Sequence, residues 1–135
     1  EVLLTWFSED NTELDRHMIY YRNGNSNQFE FIDSTSANIF EYLWTVPNIV
    51  TDSASILVQS YDLVGLMESD TSDYFSIADT IGPDVTVLGP GSGFSIQEYD
   101  ILNISWVAED NIGMDSIAIY YSNNVIIRIF CLQYF

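Results

Sequence analysis

One phrase of 20 residues occurs twice in this chain. It reads LTWFSEDNTELDRHMIYYRN at Leu4–Asn23 and ISWVAEDNIGMDSIAIYYSN at Ile104–Asn123, at an offset of 100 positions. Nine of the 20 aligned positions are identical without a gap, and they include the pair Trp6 and Trp106. Self-similarity at a fixed period is the mark of a repeated structural unit. The chain is therefore predicted to hold parts of two copies of one module.

Apolar and polar residues alternate over short runs, as in the face formed by His17, Ile19 and Tyr21. Such runs, broken by Asn, Asp, Gly and Pro, are typical of half-buried antiparallel strands, whereas no stretch shows helical periodicity. The predicted strands are Val2–Ser8, Asp15–Arg22, Gln28–Asp33, Ile39–Val46, Ser53–Asp62, Thr71–Ile77 and, in the second copy, a first strand within Asp84–Ile96.

A repeat of about 100 residues has the size of an immunoglobulin-like sandwich. The predicted fold is therefore all-β, an immunoglobulin-like (Ig-like) antiparallel β-sandwich in tandem with a truncated second copy. Residues 1–79 would form a sandwich that lacks its first strand, residues 80–83 a linker, and residues 84–135 the first half of a second sandwich. Val125–Phe135 matches nothing in the first copy, and its role stays open. The truncated copy exposes ladder edges, so we expect it to be sticky, and whether it exchanges strands with another chain also stays open.

The charge balance is strongly acidic. Twenty acidic residues face three arginines and no lysine, which gives a net charge of −17 at pH 7. This charge excludes nucleic-acid partners and disfavours anionic membrane surfaces, and the absence of a long apolar run predicts no membrane insertion. It suits divalent cations, a salty exterior or simply a solvated surface. Cys131 is the only cysteine, so no intrachain disulfide forms, and the start at Glu1 suggests a fragment of a longer protein.

Several short motifs follow one another in a recognisable order. They are WTVP at Trp44–Pro47, FSI at Phe75–Ile77, ISW before Val107, DNxGxD at Asp110–Asp115 and IYYS at Ile119–Ser122. With these motifs, residues 1 to 124 resemble the Ig-like (fibronectin-III-like) β-sandwich repeats of bacterial and archaeal secreted and cell-surface proteins. They are also similar to the Ig-like domain of the Ser-Thr-rich, GPI-anchored fungal cell-wall family.

The resemblance implies a non-catalytic spacer, adhesion or stalk module of an extracellular or cell-surface protein. Its partners would be neighbouring Ig-like modules of the same chain, together with cell-surface glycans or proteins. The chain departs from the family at Leu63–Met67, where an apolar tip replaces a Gly-Asn type of turn. Shared fold alone does not establish shared function.

Acidic loops form the candidate metal site. In an Ig-type sandwich Asp10, Asn11 and Asp15 would lie at the same pole as Asp62 and Glu68. Carboxylate and amide oxygens are what Ca²⁺ requires. In the second copy the corresponding residues are Glu109, Asp110, Asn111 and Asp115, expected to face the acids Asp79 and Asp84. The alternative is that these Asp and Asn residues only form turns. The loops do not match the EF-hand spacing, and this favours the alternative.

Aromatic residues suggest the alternative function, a carbohydrate-binding module. If Tyr21 and Tyr121 point into the core, Tyr20 and Tyr120 point outward and offer a ring on which a sugar can stack. His17, the only histidine, is expected to replace an aliphatic residue rather than bind zinc, and no nucleophile elbow is present, so we expect no enzyme. The expected core residues are Trp6, Trp44, Trp106, Tyr21, Tyr121, Ile56, Val58 and Phe75.

Overall fold

The computed structural model describes residues 1–121 and 128–132, and within them every regular element is a β-strand. The predicted all-β class is therefore confirmed. No helix in this part of the chain is long and apolar enough to cross a membrane. The chain divides into two compact units, Glu1–Ala78 and Asp79–Phe135.

Seven strands make up the first unit. They are β1 (Val2–Thr5), β2 (Leu14–Arg22), β3 (Glu30–Ser36), β4 (Glu41–Trp44), β5 (Thr51–Asp62), β6 (Met67–Thr71) and β7 (Phe75–Ile77). Every pairing is antiparallel. The larger sheet has the order β3-β2-β5-β6, and β7 pairs with the first part of β5. Strands β1 and β4 pair separately as a two-stranded sheet.

The core of the first unit lies between these two sheets. The inner face of β2 contributes Ile19 and Tyr21, and β5 contributes Ile56, while Trp44 of β4 closes the cluster from the other side. The ring centroids of Tyr21 and Trp44 lie 5.0 Å apart. Burial of each large apolar side chain contributes roughly 1.5–3 kcal/mol, so the two faces hold each other as in a β-sandwich. Trp6, Val58 and Phe75 pack against this cluster partly buried.

The described residues of the second unit form four strands. Strand β8 (Asp84–Gly89) pairs antiparallel with β9 (Ser105–Glu109), and β10 (Ser116–Tyr120) pairs antiparallel with β11 (Arg128–Leu132). No residue between 79 and 121 is buried. Strands β8, β9 and β10 therefore carry only exposed and partly buried residues.

Several predicted boundaries differ from the structure. Strand β1 ends at Thr5 instead of Ser8, and β8 ends at Gly89 instead of Ile96. Strand β3 covers Glu30–Ser36 instead of Gln28–Asp33, and its register with β2 shifts at a bulge between Ile19 and Tyr20. The single strand predicted over Thr71–Ile77 is in fact two strands, β6 and β7, and most of β6 was not predicted at all.

Tyr121 was expected in a core, and this prediction is wrong. Its side chain is 82% exposed, whereas Tyr21, the aligned residue of the first copy, is 6% exposed. Tyr21 lies opposite Ile56 and packs against Trp44. Strands β8, β9 and β10 contain no equivalents of these two residues. Trp106 is half-buried, so of the three tryptophans only Trp44 is fully buried.

Candidate functional site

The acidic loop of the first unit lies where the sequence places it, beside the turn that follows β5. Leu14 is paired with Asp62, and the Leu63 amide donates a hydrogen bond to the Glu13 carbonyl oxygen at 3.2 Å. Both connections therefore meet at one end of the larger sheet. Glu68 lies farther along β6, opposite Ser60.

The carboxylates of Asp10 and Asp15 are engaged by their own neighbours. Asp10 Oδ2 accepts hydrogen bonds from the amide of Thr12, at 3.0 Å, and from its hydroxyl. The hydroxyl bond is the main cause that lowers the pKa of Asp10 below its ordinary value. Asp15 forms an ion pair with the adjacent Arg16, and Asn11 is exposed. These contacts fix the loop's shape.

Asp62 is the one predicted ligand in the described residues whose exposure as a whole residue is low, at 8%. Its Oδ1 accepts hydrogen bonds from the amides of Val64, at 3.0 Å, and Leu66, at 2.7 Å. Gly65 between them has a positive φ of 90°, a backbone conformation that would be strained in a residue with a side chain. Asp62 therefore shapes the turn to β6, and this explains why apolar residues are tolerated at its tip.

The acidic residues of the second unit partly converge. Asn111 Nδ2 donates to Asp79 Oδ1 at 3.4 Å, and Asp84 lies opposite Glu109 in the β8–β9 ladder. Asp110 Oδ1 accepts the amides of Ile112 and Gly113, both at 2.9 Å. Asp110 Oδ2 is buried and has no hydrogen-bond partner within residues 1–121 and 128–132. Asp115 is exposed.

In the described part of the chain, no three His, Cys, Asp or Glu side chains are placed to hold a metal ion. Asp10, Asp62 and Asp110 instead accept hydrogen bonds from amides in their own turns. The calcium ligands expected at the two acidic loops thus stay a prediction. The structure brings Asn111 close to Asp79, and it places Asp15 against Arg16.

An aromatic row lies on the outer face of the larger sheet. Tyr20 packs edge-on against Phe31, with ring centroids 5.6 Å apart. The Arg16 guanidinium lies 4.3 Å from the ring centre of Tyr61, whose hydroxyl donates to Gln59 Oε1 at 3.3 Å. Tyr20 thus points away from the core, as expected, but Phe31 covers part of its ring. The alternation of side chains along β3 was the sequence signal that could have placed Phe31 on this face. The bulge opposite β3, between Ile19 and Tyr20, interrupts that alternation.

A groove of about 1020 Å³ lies between the two sheets of the first unit. Its walls come from β1 and β4 on one side and from β6 and β7 on the other, and Ile56 and Val58 lie beneath. Sequence reasoning did not identify this groove. The signal that pointed to it was the apolar face formed by Val2, Leu4 and Trp6.

The chain thus carries three surface features that a ligand can contact: the acidic loops, the outer aromatic row and the groove beside β1. Searches against protein families, curated proteins and solved structures find no match for it. Any functional assignment therefore has to come from these features and from the sequence.

Proposed function

We propose that this chain is a non-catalytic structural and adhesion module of an extracellular or cell-surface protein. It would be an Ig-like sandwich followed by the first half of a second copy. The observation that carries the proposal is the strand order of the first unit. In Ig-type sandwiches the second and fifth strands share one sheet, and the third, sixth and seventh share the other. Pairing of β1 with β4, of β2 with β5 and of β5 with β6 is what that scheme gives for a sandwich without its first strand, whereas β3 pairs with β2 and departs from it.

The repeated phrase supports the second copy. In the first unit the phrase covers the end of β1 and all of β2, and in the second it covers β9 and β10. Strand β8 precedes β9 and pairs with it, as a first strand would. Neighbouring modules of this kind are suited to spacing and stiffening, because each unit has its own strands.

Surface charge supports the extracellular setting. A net charge of −17 keeps modules soluble and mutually repelling, which favours an extended arrangement over collapse. An adhesion partner would be a glycan or protein of a cell surface. The partners inside the parent protein would be neighbouring Ig-like modules.

Pulling on the full chain by its two ends tests the spacer role. A load-bearing sandwich resists until it ruptures cooperatively, so the first unit is expected to open in one sharp event. Extending its 78 residues (Glu1–Ala78) adds a contour length of roughly 270 Å. The matched variant Trp44→Ala removes a buried core residue and should lower the rupture force. Smooth extension without a rupture would contradict the proposal.

The second candidate function is carbohydrate binding by the outer aromatic row. The observation in its favour is that Tyr20, Phe31 and Tyr61 share one sheet face with the amide of Gln59. Sugar rings stack on such aromatic faces, and amides bond their hydroxyls. A glycan array with the full chain tests it, with Tyr20→Ala as the loss variant and Phe7→Ala, an exposed ring outside the row, as the control. Signals at background, or equal signals for both variants, would remove this function.

Calcium is the ligand we propose for the acidic loops, where it would stiffen them. The support is the buried Asp110 Oδ2, which carries charge and lacks a hydrogen bond in the described structure. Calorimetric titration with Ca²⁺ and thermal melting with and without chelator test this. We expect heat of binding and a higher melting temperature, both reduced by Asp110→Asn. Absence of heat and of any melting shift would end the calcium proposal without affecting the spacer proposal.

A further inference from the structure

Arg22, the last residue of β2, lies among aromatic rings on the outer face of the larger sheet. Its guanidinium carbon is 4.8 Å from the ring centre of Phe29 and 5.7 Å from that of Tyr74, and the guanidinium donates a hydrogen bond to the Tyr74 hydroxyl at 3.3 Å. Both rings are within the range of a cation–π interaction, so they hold the guanidinium in place. We call Arg22, Phe29 and Tyr74 the arginine cluster.

The arginine cluster continues the face on which the aromatic row lies. Tyr21 points into the core, so Tyr20 and Arg22 on either side of it both point outward. Tyr20 packs against Phe31, and Arg22 packs against Phe29, two positions earlier along the chain. The rings of Tyr20 and Phe31 are therefore adjacent to the cluster on one face.

Arg22 keeps its positive charge in a strongly acidic chain. In the described part of the chain no ion pair joins it to an acidic residue, not even to Glu30 or Asp73, which are next in sequence to the two rings. Arg16 does form an ion pair, with Asp15, at the other end of β2. The two arginines are roughly 20 Å apart along the strand, which is about two Debye lengths at physiological salt. The charge of Asp15 is therefore largely screened at Arg22.

The outer face beside the cluster carries no acidic side chain on β2, β5 or β6. Along β2 the outward positions occur at every second residue from Arg16 to Arg22, and each is opposite a neutral residue of β5. In β6, Glu68 and Asp70 alternate onto the inner face, opposite inward residues of β5. An anion that approaches this face at physiological salt therefore meets the positive charge of Arg22 before any carboxylate of these strands.

The chemistry of the cluster suits a carboxylate on a sugar. A guanidinium stacked on aromatic rings leaves N–H groups at its edge, and these bind a carboxylate through two parallel hydrogen bonds. Phe31, which is 55% exposed, and its neighbour Tyr20 offer apolar rings beside it, on which a sugar can stack. A sugar that carries a carboxylate, a uronate, matches both features.

An acidic polypeptide would have to bind this face through side chains alone. Strand β2 pairs with β3 and β5, and β5 pairs also with β6 and β7, so neither has a free edge to which a peptide could add as a strand. A flexible peptide without main-chain hydrogen bonds loses more conformational freedom on binding than a rigid sugar ring does. The geometry therefore favours the sugar.

We propose that the arginine cluster binds the carboxylate of an acidic sugar, a uronate unit of a glycan, while the adjoining sugar ring stacks on Phe31 and Tyr20. Arg22 supplies charge-assisted hydrogen bonds and selects acidic glycans over neutral ones, and the rings supply apolar contact. The inference rests on the second candidate function, carbohydrate binding by the outer aromatic row, and it names the class of glycan.

Calorimetric titration of the full chain with tetragalacturonate and with its methyl ester tests the proposal. The ester has the same sugars and linkages but no charge, so the comparison isolates the carboxylate. At neutral pH and about 0.15 M salt we expect the acid to bind at least about tenfold more tightly than the ester, with the difference shrinking at about 1 M salt. In an NMR titration the acid should shift the Nε–Hε signal of Arg22, which is readily assigned because the chain has three arginines.

Two matched variants locate the selectivity. Arg22→Gln should abolish the preference for the acid over the ester. Arg16→Gln, which removes the ion-paired arginine from the same face, should keep that preference, whatever it does to the affinity for both forms. Melting temperatures verify that both variants fold, and the Arg22 signal of the unmodified chain locates the ligand without any substitution.

The outcomes separate this inference from carbohydrate binding in general. Equal affinity for acid and ester would overturn the inference while sugar binding stands. Binding of neither tetramer would overturn it as well, and the glycan array decides separately whether the row binds other sugars. Loss of the preference in Arg16→Gln alone would overturn the role of Arg22, and hexaglutamate binding as tightly as the acid would assign the cluster to polypeptides instead.

Discussion

His17 is a position where the two copies differ in chemistry, since the aligned residue is Ile117. It is fully buried, and its Nδ1 accepts a hydrogen bond from the Ser60 hydroxyl at 2.8 Å. Its Nε2 donates to the Ala37 carbonyl at 3.2 Å, because a carbonyl can only accept. A single neutral tautomer satisfies both bonds. The sequence predicted an apolar role here, and no spacing rule pointed to Ser60 or to the Ala37 carbonyl.

The first prediction is that His17→Ile destabilises the protein, although the second copy carries isoleucine there. Ser60 and the Ala37 carbonyl, both partly buried, lose their partner, which costs about 1–3 kcal/mol in the free energy of unfolding. Urea unfolding followed by tryptophan fluorescence measures the change. Ser60→Ala supplies the control, because the double variant should cost less than the sum of the two single ones. Additive costs, or wild-type stability of His17→Ile, would show that the hydrogen bonds contribute little.

The Tyr21 hydroxyl gives a prediction that depends on pH. It is buried without a hydrogen-bond partner among the described residues, and burial, followed by the charge of Glu30, raises the pKa of Tyr21 above 10.0. Ionisation of Tyr21 does not affect the free energy of unfolding below pH 10, but stability falls as pH rises from there through the folded-state pKa, because the folded state disfavours the ionised ring. Tyr21→Phe should be neutral or up to about 1 kcal/mol stabilising at pH 7, and it should lose less stability above pH 10.

Urea midpoints for Tyr21→Phe at pH 7 and in alkaline buffer check this, with the exposed Tyr99→Phe as a variant that changes neither value. A clear loss of stability at pH 7 would mean that the hydroxyl has a partner after all.

At the scale of elements, strands with one buried face were predictable and strands without one were not. Alternation located β2 and β5 to within two residues, because Ile19, Tyr21 and Ile56 all face the core. All five residues of β6 are exposed, so its polar sequence carries no period-two signal. Strand β6 forms because β5 continues beyond the core and its backbone pairs with β6.

The β2–β3 hairpin is held close to β5 through Gly24. A Cβ at this position would lie 1.7 Å from Ser53 Oγ and 2.6 Å from Ser53 Cβ. The Asn23-Gly24 pair predicted a hairpin, and the hairpin forms, but the connection is longer than a two-residue turn and glycine is required for space. The need for space depends on a strand remote in sequence, so no local pattern reveals it.

Gly24→Ala is therefore expected to cost roughly 1–3 kcal/mol of unfolding free energy, because the loop or Ser53 has to move. Thermal melting of the full chain measures it. Gly82→Ala is the matched control, since a Cβ there meets nothing within 4 Å, and it should leave the melting temperature unchanged or slightly raised. A melting temperature unaffected by Gly24→Ala would contradict the close approach to β5.

At the scale of the whole molecule, the repeated 20-residue sequence lies in two different environments. Ile19 is fully buried, whereas Ile119, at the aligned position, is 46% exposed. The difference lies outside the phrase: β5 and Trp44 cover the first copy, and β8, β9 and β10 supply no comparable layer. Sequence identity predicts which strands form, but burial depends on the strands that pack against them. Among the candidate calcium ligands, Asp10 and Asp110 both accept the amide two residues further on, whereas Asn111 contacts Asp79 of the second unit.

Hydrogen exchange of the full chain tests the central claim, that a core between two antiparallel sheets stabilises the first unit on its own. Amides of β2 and β5 should exchange only through global unfolding, and those of β8, β9 and β10 should exchange at least about 100-fold faster through local opening. Amide-resolved NMR exchange at constant pH gives both sets of rates in one sample. Equal protection of β2 and β9, or fast exchange throughout β5, would contradict the account.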